Sequence, residues 1–489
     1  MEARPSAGRR AADFLRGDST RFAALLLFLA AVFLMGGGSR PDIRSLVLLR
    51  PLAILLAAYA LTIASPEELR RVRVPLYLLI ALLALMVAQL VPLPPDLWAA
   101  LPGRDLYAEV VAAADVADRW RPLSLSPSRT VNSIFSLSVP LCAVLLAAIQ
   151  DSRRLKPMIV AILLLGLLSC FWGLVQMLGS ATGPLYLYNV TNAGLPVGLF
   201  ANRNHQAVVL AALIPVAAYV AVSVREGRHG SRLPTVGSAL TILLLIPTVL
   251  MTGSRAGLIA LPLAFAAAVS IFFVSQRGRT AAPGRGSSAW RSPAAGAAAV
   301  ILIAIAVVLW FGRALAVHRL VGEDALEDLR AQIATTLIGM ARSFFPTGSG
   351  FGSFDAVYDR FEPTAVLSDL YLNNAHNDWL QLAIEGGLPA AALLLAFLLW
   401  LLQLGLETVR GLKRDGSAVS ALRLAALSFI VVQGAASMVD YPLRVPSIMA
   451  AFVLFCAVLC RSGELAGPAS QDGRGGARRH APETGALPR

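Results

Sequence analysis

The stretch 204–275, NHQAVVLAALIPVAAYVAVSVREGRHGSRLPTVGSALTILLLIPTVLMTGSRAGLIALPLAFAAAVSIFFVS, decides the fold. It holds three apolar runs, at 204–223, 236–252 and 256–275. Each is close to the roughly 20 residues that an α-helix needs to cross a hydrocarbon core about 30 Å thick. None shows the polar stripe of a helix on a soluble surface, and helices apolar all round are buried or lie in a membrane. The loop between the first two carries Arg225, Arg228 and Arg232, which the positive-inside rule keeps in the cytoplasm. The hairpin between the second and third, around Arg255, then faces the other side.

The same pattern extends outward. Further apolar runs fall at 22–37, 44–64, 74–93, 131–149, 157–178, 295–314, 386–406, 422–439 and 444–461. The reading is an all-α polytopic integral membrane protein with about 12 transmembrane helices. With the N-terminus inside, the inner loops 65–73, 150–156, 224–235, 276–294 and 407–421 are all basic, and both termini are cytoplasmic. The chain divides into a cytoplasmic segment 1–21, a membrane domain 22–461 and a Gly-, Pro- and Arg-rich tail 462–489 with a disordered composition. Arg9, Arg10, Arg16 and Arg21 precede the first run without a small-residue cleavage site after it, as in an uncleaved signal anchor. Three outer segments are long enough to carry function: 94–130, 179–203 and 315–385, the largest lying between helices nine and ten.

Composition agrees. Of 489 residues, 57% are hydrophobic and 15% charged, a membrane balance rather than a soluble one. The net charge of +13 sits in loop arginines, which makes it a topological signal and argues against a nucleic-acid partner. Cys142, Cys170, Cys456 and Cys460 lie in or beside apolar runs without zinc-site spacing, so neither a metal nor a disulfide framework is expected. Lysine occurs only at 156 and 413, the arginine-rich usage of a GC-rich bacterial genome. Arg50 is the one charge well inside a span, and it can snorkel outward. Ion-coupled transporters carry more intramembrane charge than this.

Four outer clusters hold the candidate chemistry: GLFANRNHQA (198–207), LMTGSRAGL (250–258), DLRAQIATTLIGMARSFFPTGSGFGSF (328–354) and NNAHNDWLQLAIEGGLPAA (373–391). Arg255 in a tight outer hairpin opposes the positive-inside bias. It either caps helix carbonyls or binds an anion, and a guanidinium suits a phosphorylated head group. Arg203 allows the same two readings. His376, in a loop next to a span, is either structural or a general base. The glycines of GSGFG and EGGLP match no nucleotide motif and read as turns.

In their order and spacing, these clusters resemble the O-antigen ligase and O-antigen polymerase superfamily of bacterial membrane glycosyltransferases. The resemblance runs over about 160–455, and upstream QLVPLPPDLWAALPG is similar as well. It implies a donor glycan on undecaprenyl pyrophosphate, taken at the periplasmic face of the inner membrane. The glycan would pass to a lipid A core or to a growing polysaccharide. By motif, pyrophosphate binding would fall on Arg203 and Arg255, with Arg330 as a third candidate, and base-like work on His376. Asn202, Asn204 and Asn377 flank these residues and would support them. The residues suit direct, inverting, metal-independent transfer: the pyrophosphate is already a leaving group and no carboxylate pair stands out for a retaining route. No cofactor is expected. Membrane lipids and polysaccharide export or flippase machinery are the further partners implied. Two other readings differ in class: a transporter, for example of inorganic carbon or another small anion, and a scaffold of an export machine with a dead site.

Overall fold

The computed structural model describes residues 13–227, 233–280, 325–364, 372–414 and 418–465. The expected ninth span, 295–314, lies outside the described residues, as does the tail beyond Leu465. The long helices are α1 (Asp18–Met35), α2 (Leu46–Ile63), α4 (Arg73–Ala88), α8 (Ser138–Ala148) and α9 (Leu155–Gln176). After them come α10 (Arg203–Gly227), α11 (Leu233–Met251), α12 (Arg255–Thr280), α15 (Asp378–Arg414), α16 (Ala418–Ala436) and α17 (Pro446–Arg461). Shorter ones are α3 (Pro66–Arg71), α5 (Pro95–Ala99), α6 (Asp105–Ala113), α7 (Pro127–Ser136) and α14 (Phe354–Tyr358), and α13 (Ala325–Ser343) spans part of the expected large loop. Nine stretches of helix among the described residues, with α7 and α8 counted as one, are long and apolar enough to cross a membrane, and α4 and most of α11 are shorter apolar helices. Together these match eleven of the expected spans. The fourth begins earlier than expected, at Pro127, because proline suits the first turn of a helix.

Helix α10 is the axis of the bundle. Every residue from Asn204 to Tyr219 is buried, the outcome for a helix apolar on all faces. It packs against α9, α11, α12 and α16. Helix α15 is the opposite case. Leu395, Leu398, Leu399, Leu402 and Leu406 stay exposed along it, a face fitted to lipid rather than water.

The end with the short basic loops is stitched by arginines. Arg461, fully buried, donates to the Ala147 and Gln150 carbonyls (2.6 and 2.8 Å). Arg21 pairs with Glu68 at 2.6 Å and reaches the Ile149 carbonyl. Helix α3 starts on a capping box: Ser65 Oγ accepts from Glu68 N–H (3.2 Å) and Glu68 Oε2 accepts from Ser65 N–H (2.8 Å). Burial raises the Glu68 pKa, but the Ser65 N–H and Arg21 outweigh it and hold the carboxyl below its ordinary range. Its contribution is therefore present at neutral pH and fades as the pH falls through that lowered pKa. Ser65→Ala is expected to destabilise the protein by about 1 kcal/mol, read as an earlier midpoint in a denaturant titration in detergent.

The opposite end carries the irregular segments. Between α4 and α7, a two-residue pairing sets Pro92 against Pro122 and Leu93 against Arg121 (strands β1, Pro92–Leu93, and β2, Arg121–Pro122). Inside this excursion, Trp98 donates to the Pro122 carbonyl (3.0 Å) and lies under the buried Arg104 guanidinium, 5.5 Å from its ring centre. Burial pulls the Arg104 pKa down to about 10, so it remains a cation at neutral pH.

Candidate functional site

Two of the sequence clusters meet at this end. Asn202 caps α10, its Oδ1 accepting from Asn204 N–H at 2.8 Å. This sets Arg203, Asn204 and His205 in the first turn, where the helix dipole is positive. Asn377 caps α15 in the same way, its Oδ1 accepting from Leu380 N–H at 3.0 Å. His376 stands just before that cap with φ of +50°, a left-handed conformation uncommon for a residue with a side chain. Outliers of this kind collect at sites where geometry serves function.

Arg203, Asn202, Asn204, His205 and His376 line one cavity of about 620 Å³. Behind its lining histidines lies a carboxylate that the sequence does not single out as functional. Asp440, 1% exposed, accepts from Asn204 Nδ2 at 2.9 Å through Oδ2. Its Oδ1 lies 3.4 Å from His376 Nδ1 and 4.0 Å from His205 Nε2. The Tyr441 ring meets both imidazoles edge-on, with centroids 4.7 Å from His376 and 5.3 Å from His205. A carboxylate beside one ring nitrogen, with the other nitrogen left for substrate, is the arrangement of histidine general-base sites.

The far wall comes from the loop between α1 and α2. Gly37 N–H donates to the Tyr188 hydroxyl (2.7 Å), and Ala201 N–H to the Gly37 carbonyl (3.0 Å). A Cβ on Gly37 would sit 1.9 Å from the Leu199 carbonyl oxygen, so only glycine permits this approach. Burial pushes the Tyr188 phenol up to about 12, which keeps it a neutral hydroxyl. Arg40 and Arg44 join Arg203 in the lining, against a single carboxylate, Asp42, which Arg40 engages through Nε and Nη2 (3.0 and 2.9 Å). The balance is cationic, as a phosphorylated ligand requires.

Other sequence candidates lie elsewhere. Arg255 opens α12 and lines neither this cavity nor its neighbour. Its helix still reaches the first turns of α10, where a Cβ on Gly257 would sit 2.6 Å from Ala207 Cβ. Arg330 falls on α13 with its side chain outside the described residues. The PTGSGFG turn, 346–352, contributes Phe351 and Gly352 to a second cavity of about 650 Å³. Arg50, half-buried, lines that cavity. Its Nη1 donates to Asn132 Oδ1 at 2.6 Å.

Residues 240–395 match the family model described as O-Antigen ligase, a stretch with Arg255, Arg330, His376 and Asn377 inside it and Arg203 and Asp440 outside. No curated protein matches the chain. The match over residues 240–395 supports a likeness to the O-antigen ligase and polymerase superfamily, in a multi-pass chain whose described residues hold nine helices long and apolar enough to cross a membrane.

Proposed function

We propose that the protein moves a glycan from undecaprenyl pyrophosphate to an acceptor hydroxyl at the periplasmic face of the bacterial inner membrane. The observation that carries this reading is the shared cavity of Arg203 and His376, with Asp440 behind the imidazole. The acceptor oxygen attacks the anomeric carbon from the face opposite the pyrophosphate. The carbon–oxygen bond to pyrophosphate breaks, undecaprenyl pyrophosphate departs, and the configuration inverts. His376, with the Asp440 carboxylate 3.4 Å from its Nδ1, takes the acceptor's proton at Nε2. Arg203 meets the negative charge gathering on the leaving group, with Arg255 on the neighbouring helix as its partner in that role. Arginine stays ionised and can hold a phosphate with two parallel hydrogen bonds. Asn202, Asn204 and Asn377 act by position: two cap the helices that present Arg203 and His376, and Asn204 holds Asp440.

The test is glycan transfer by the purified full chain in detergent, with EDTA present. Undecaprenyl-pyrophosphate-linked oligosaccharide is the donor, and lipid A core or a second lipid-linked repeat the acceptor. Transfer that persists in EDTA, with inverted linkage, is the expected result, and the acceptor that works separates ligase from polymerase. No transfer to any acceptor would overturn the reading. Asp440→Asn keeps the shape and removes the charge behind His376. A hydrogen bond to a charged group contributes about 1.5–3 kcal/mol, so transfer is expected to fall roughly 10–150-fold with little change in donor KM.

A further inference from the structure

The second cavity lies beside the first and shares Ser39, Arg40, Asp42 and Asn373 with it. Its lining joins two kinds of surface. One is apolar, with Leu82 and Met86 of α4, Leu137 before α8 and Met449 of α17. The other is charged, with four arginines: Arg40, Arg50, Arg129 and Arg444.

Three of these arginines are matched by carboxylates of the protein. Arg40 pairs with Asp42 at 2.9 Å, Arg129 with Asp355, and Arg444 with Asp378 at 3.2 Å and Glu385 at 3.5 Å. Arg50 differs. It is the fifth residue of the otherwise apolar α2, and its hydrogen bond goes to the neutral amide of Asn132. Among the described residues it forms no ion pair. A guanidinium has five N–H donors and cannot shed its proton. Set in an apolar span, such a group faces the protein interior and marks a ligand or ion path rather than a packing element. A bound anion supplies what the carboxylates supply to the other three.

We infer that this chamber binds the phosphate-bearing head of a lipid, with Arg50 as its anion-binding group and the apolar wall along Leu82, Met86 and Met449 taking the start of the hydrocarbon. The chamber is open to an amphiphile in both halves of its chemistry. A soluble sugar phosphate has no use for the apolar wall, and a neutral lipid has none for Arg50. Under the proposed transfer reaction, on which this step rests, the occupant is the acceptor substrate. Asn373, in the shared wall, lies three residues from His376, so a hydroxyl of the seated amphiphile borders the base.

Equilibrium binding to the full chain in detergent tests this without turnover. The probes are a phosphorylated glycolipid of lipid A type and its dephosphorylated form, undecaprenyl phosphate, and inorganic phosphate. The wild type is expected to prefer a phosphate-bearing lipid over its dephosphorylated form by about tenfold or more. Arg50→Gln should erase that preference, and Arg50→Lys should keep part of it. The lipid that responds to Arg50 identifies the source, glycolipid or polyprenyl. The inference is overturned if monodisperse Arg50→Gln binds every probe as the wild type does, or if inorganic phosphate alone responds. Arg50-dependent binding in a protein that transfers no glycan would remove the transfer reading and leave the lipid site standing.

Discussion

Replacing His376 by alanine is expected to lower glycan transfer by about 10²–10⁴-fold, the usual contribution of a positioned general base. The residual rate reflects what Arg203 and substrate orientation still provide, since a pyrophosphate leaves without help from the base. Three readouts separate this from a folding defect. Donor KM should change little, because the imidazole acts on the acceptor's proton and not on the pyrophosphate. Added imidazole should restore part of the rate, because the deletion leaves a hole lined by Asp440 and Tyr441 into which the small base fits. Asp440→Asn should lose less than His376→Ala, and the double variant should be no worse than His376→Ala alone, because the carboxylate acts through the ring it faces. A full loss in Asp440→Asn with normal transfer in His376→Ala would reverse the roles and make the carboxylate the base. Arg203→Ala belongs to the other side of the reaction and should weaken donor use together with turnover.

The membrane fold was legible because each span is a local signal: about 20 apolar residues answer to bilayer thickness with little help from the rest of the chain. Caps could be read the same way, and the asparagines beside Arg203 and His376 cap helices as their type prefers. What joins the site is not local. Asp440 lies 236 positions from Asn204 in the chain, and nothing in its own neighbourhood announces that contact. A usable signal existed: an acidic residue in a tight outer hairpin, followed by Tyr441 and Pro442 and not needed for topology. MGGGS, 35–39, gave another, because three consecutive glycines at the end of a span demand a close approach, here to Leu199 and Tyr188. Hydropathy could not say which face of α2 carries Arg50. That depends on the helix rotation set by packing against α8 and α1. The ties among clusters 36–45, 198–205, 373–377 and 440–441 come from how the bundle closes, which periodicity within single helices does not encode.

Gly387→Ala is expected to be the most destabilising single-methyl change in the described residues, at about 2–6 kcal/mol. Helix α15 is broken there, with φ of 60° and ψ of −151°, a region that residues with a Cβ hardly enter. A Cβ would also meet backbone on every side: the Pro346 carbonyl oxygen at 2.2 Å, with Gly348 N and Thr347 C at 2.7 Å. None of these can move alone. Leu388 N–H donates to the Pro346 carbonyl (2.8 Å), Ser349 N–H to Ile384 (2.9 Å) and Gly350 N–H to Glu385 (2.9 Å). Gln89 clamps the same knot from α4's end, donating to the Glu385 carbonyl and accepting from Phe351 N–H, both at 2.9 Å. The break lets the first turns of α15 lean against the PTGSGFG turn, and those turns carry Asp378 and Glu385, the carboxylates that hold Arg444 at the second cavity. The added methyl should therefore lower yield and thermal midpoint sharply, and loosen substrate binding in whatever protein survives. Gly405→Ala is the control within the same helix. Its new Cβ would meet only Leu427 Cδ2, at 3.8 Å, so the change should be neutral or stabilising by up to about 1 kcal/mol. Equal melting behaviour of the two variants would mean that the 346–352 turn and α15 are not locked together, and that the second cavity is shaped by other contacts.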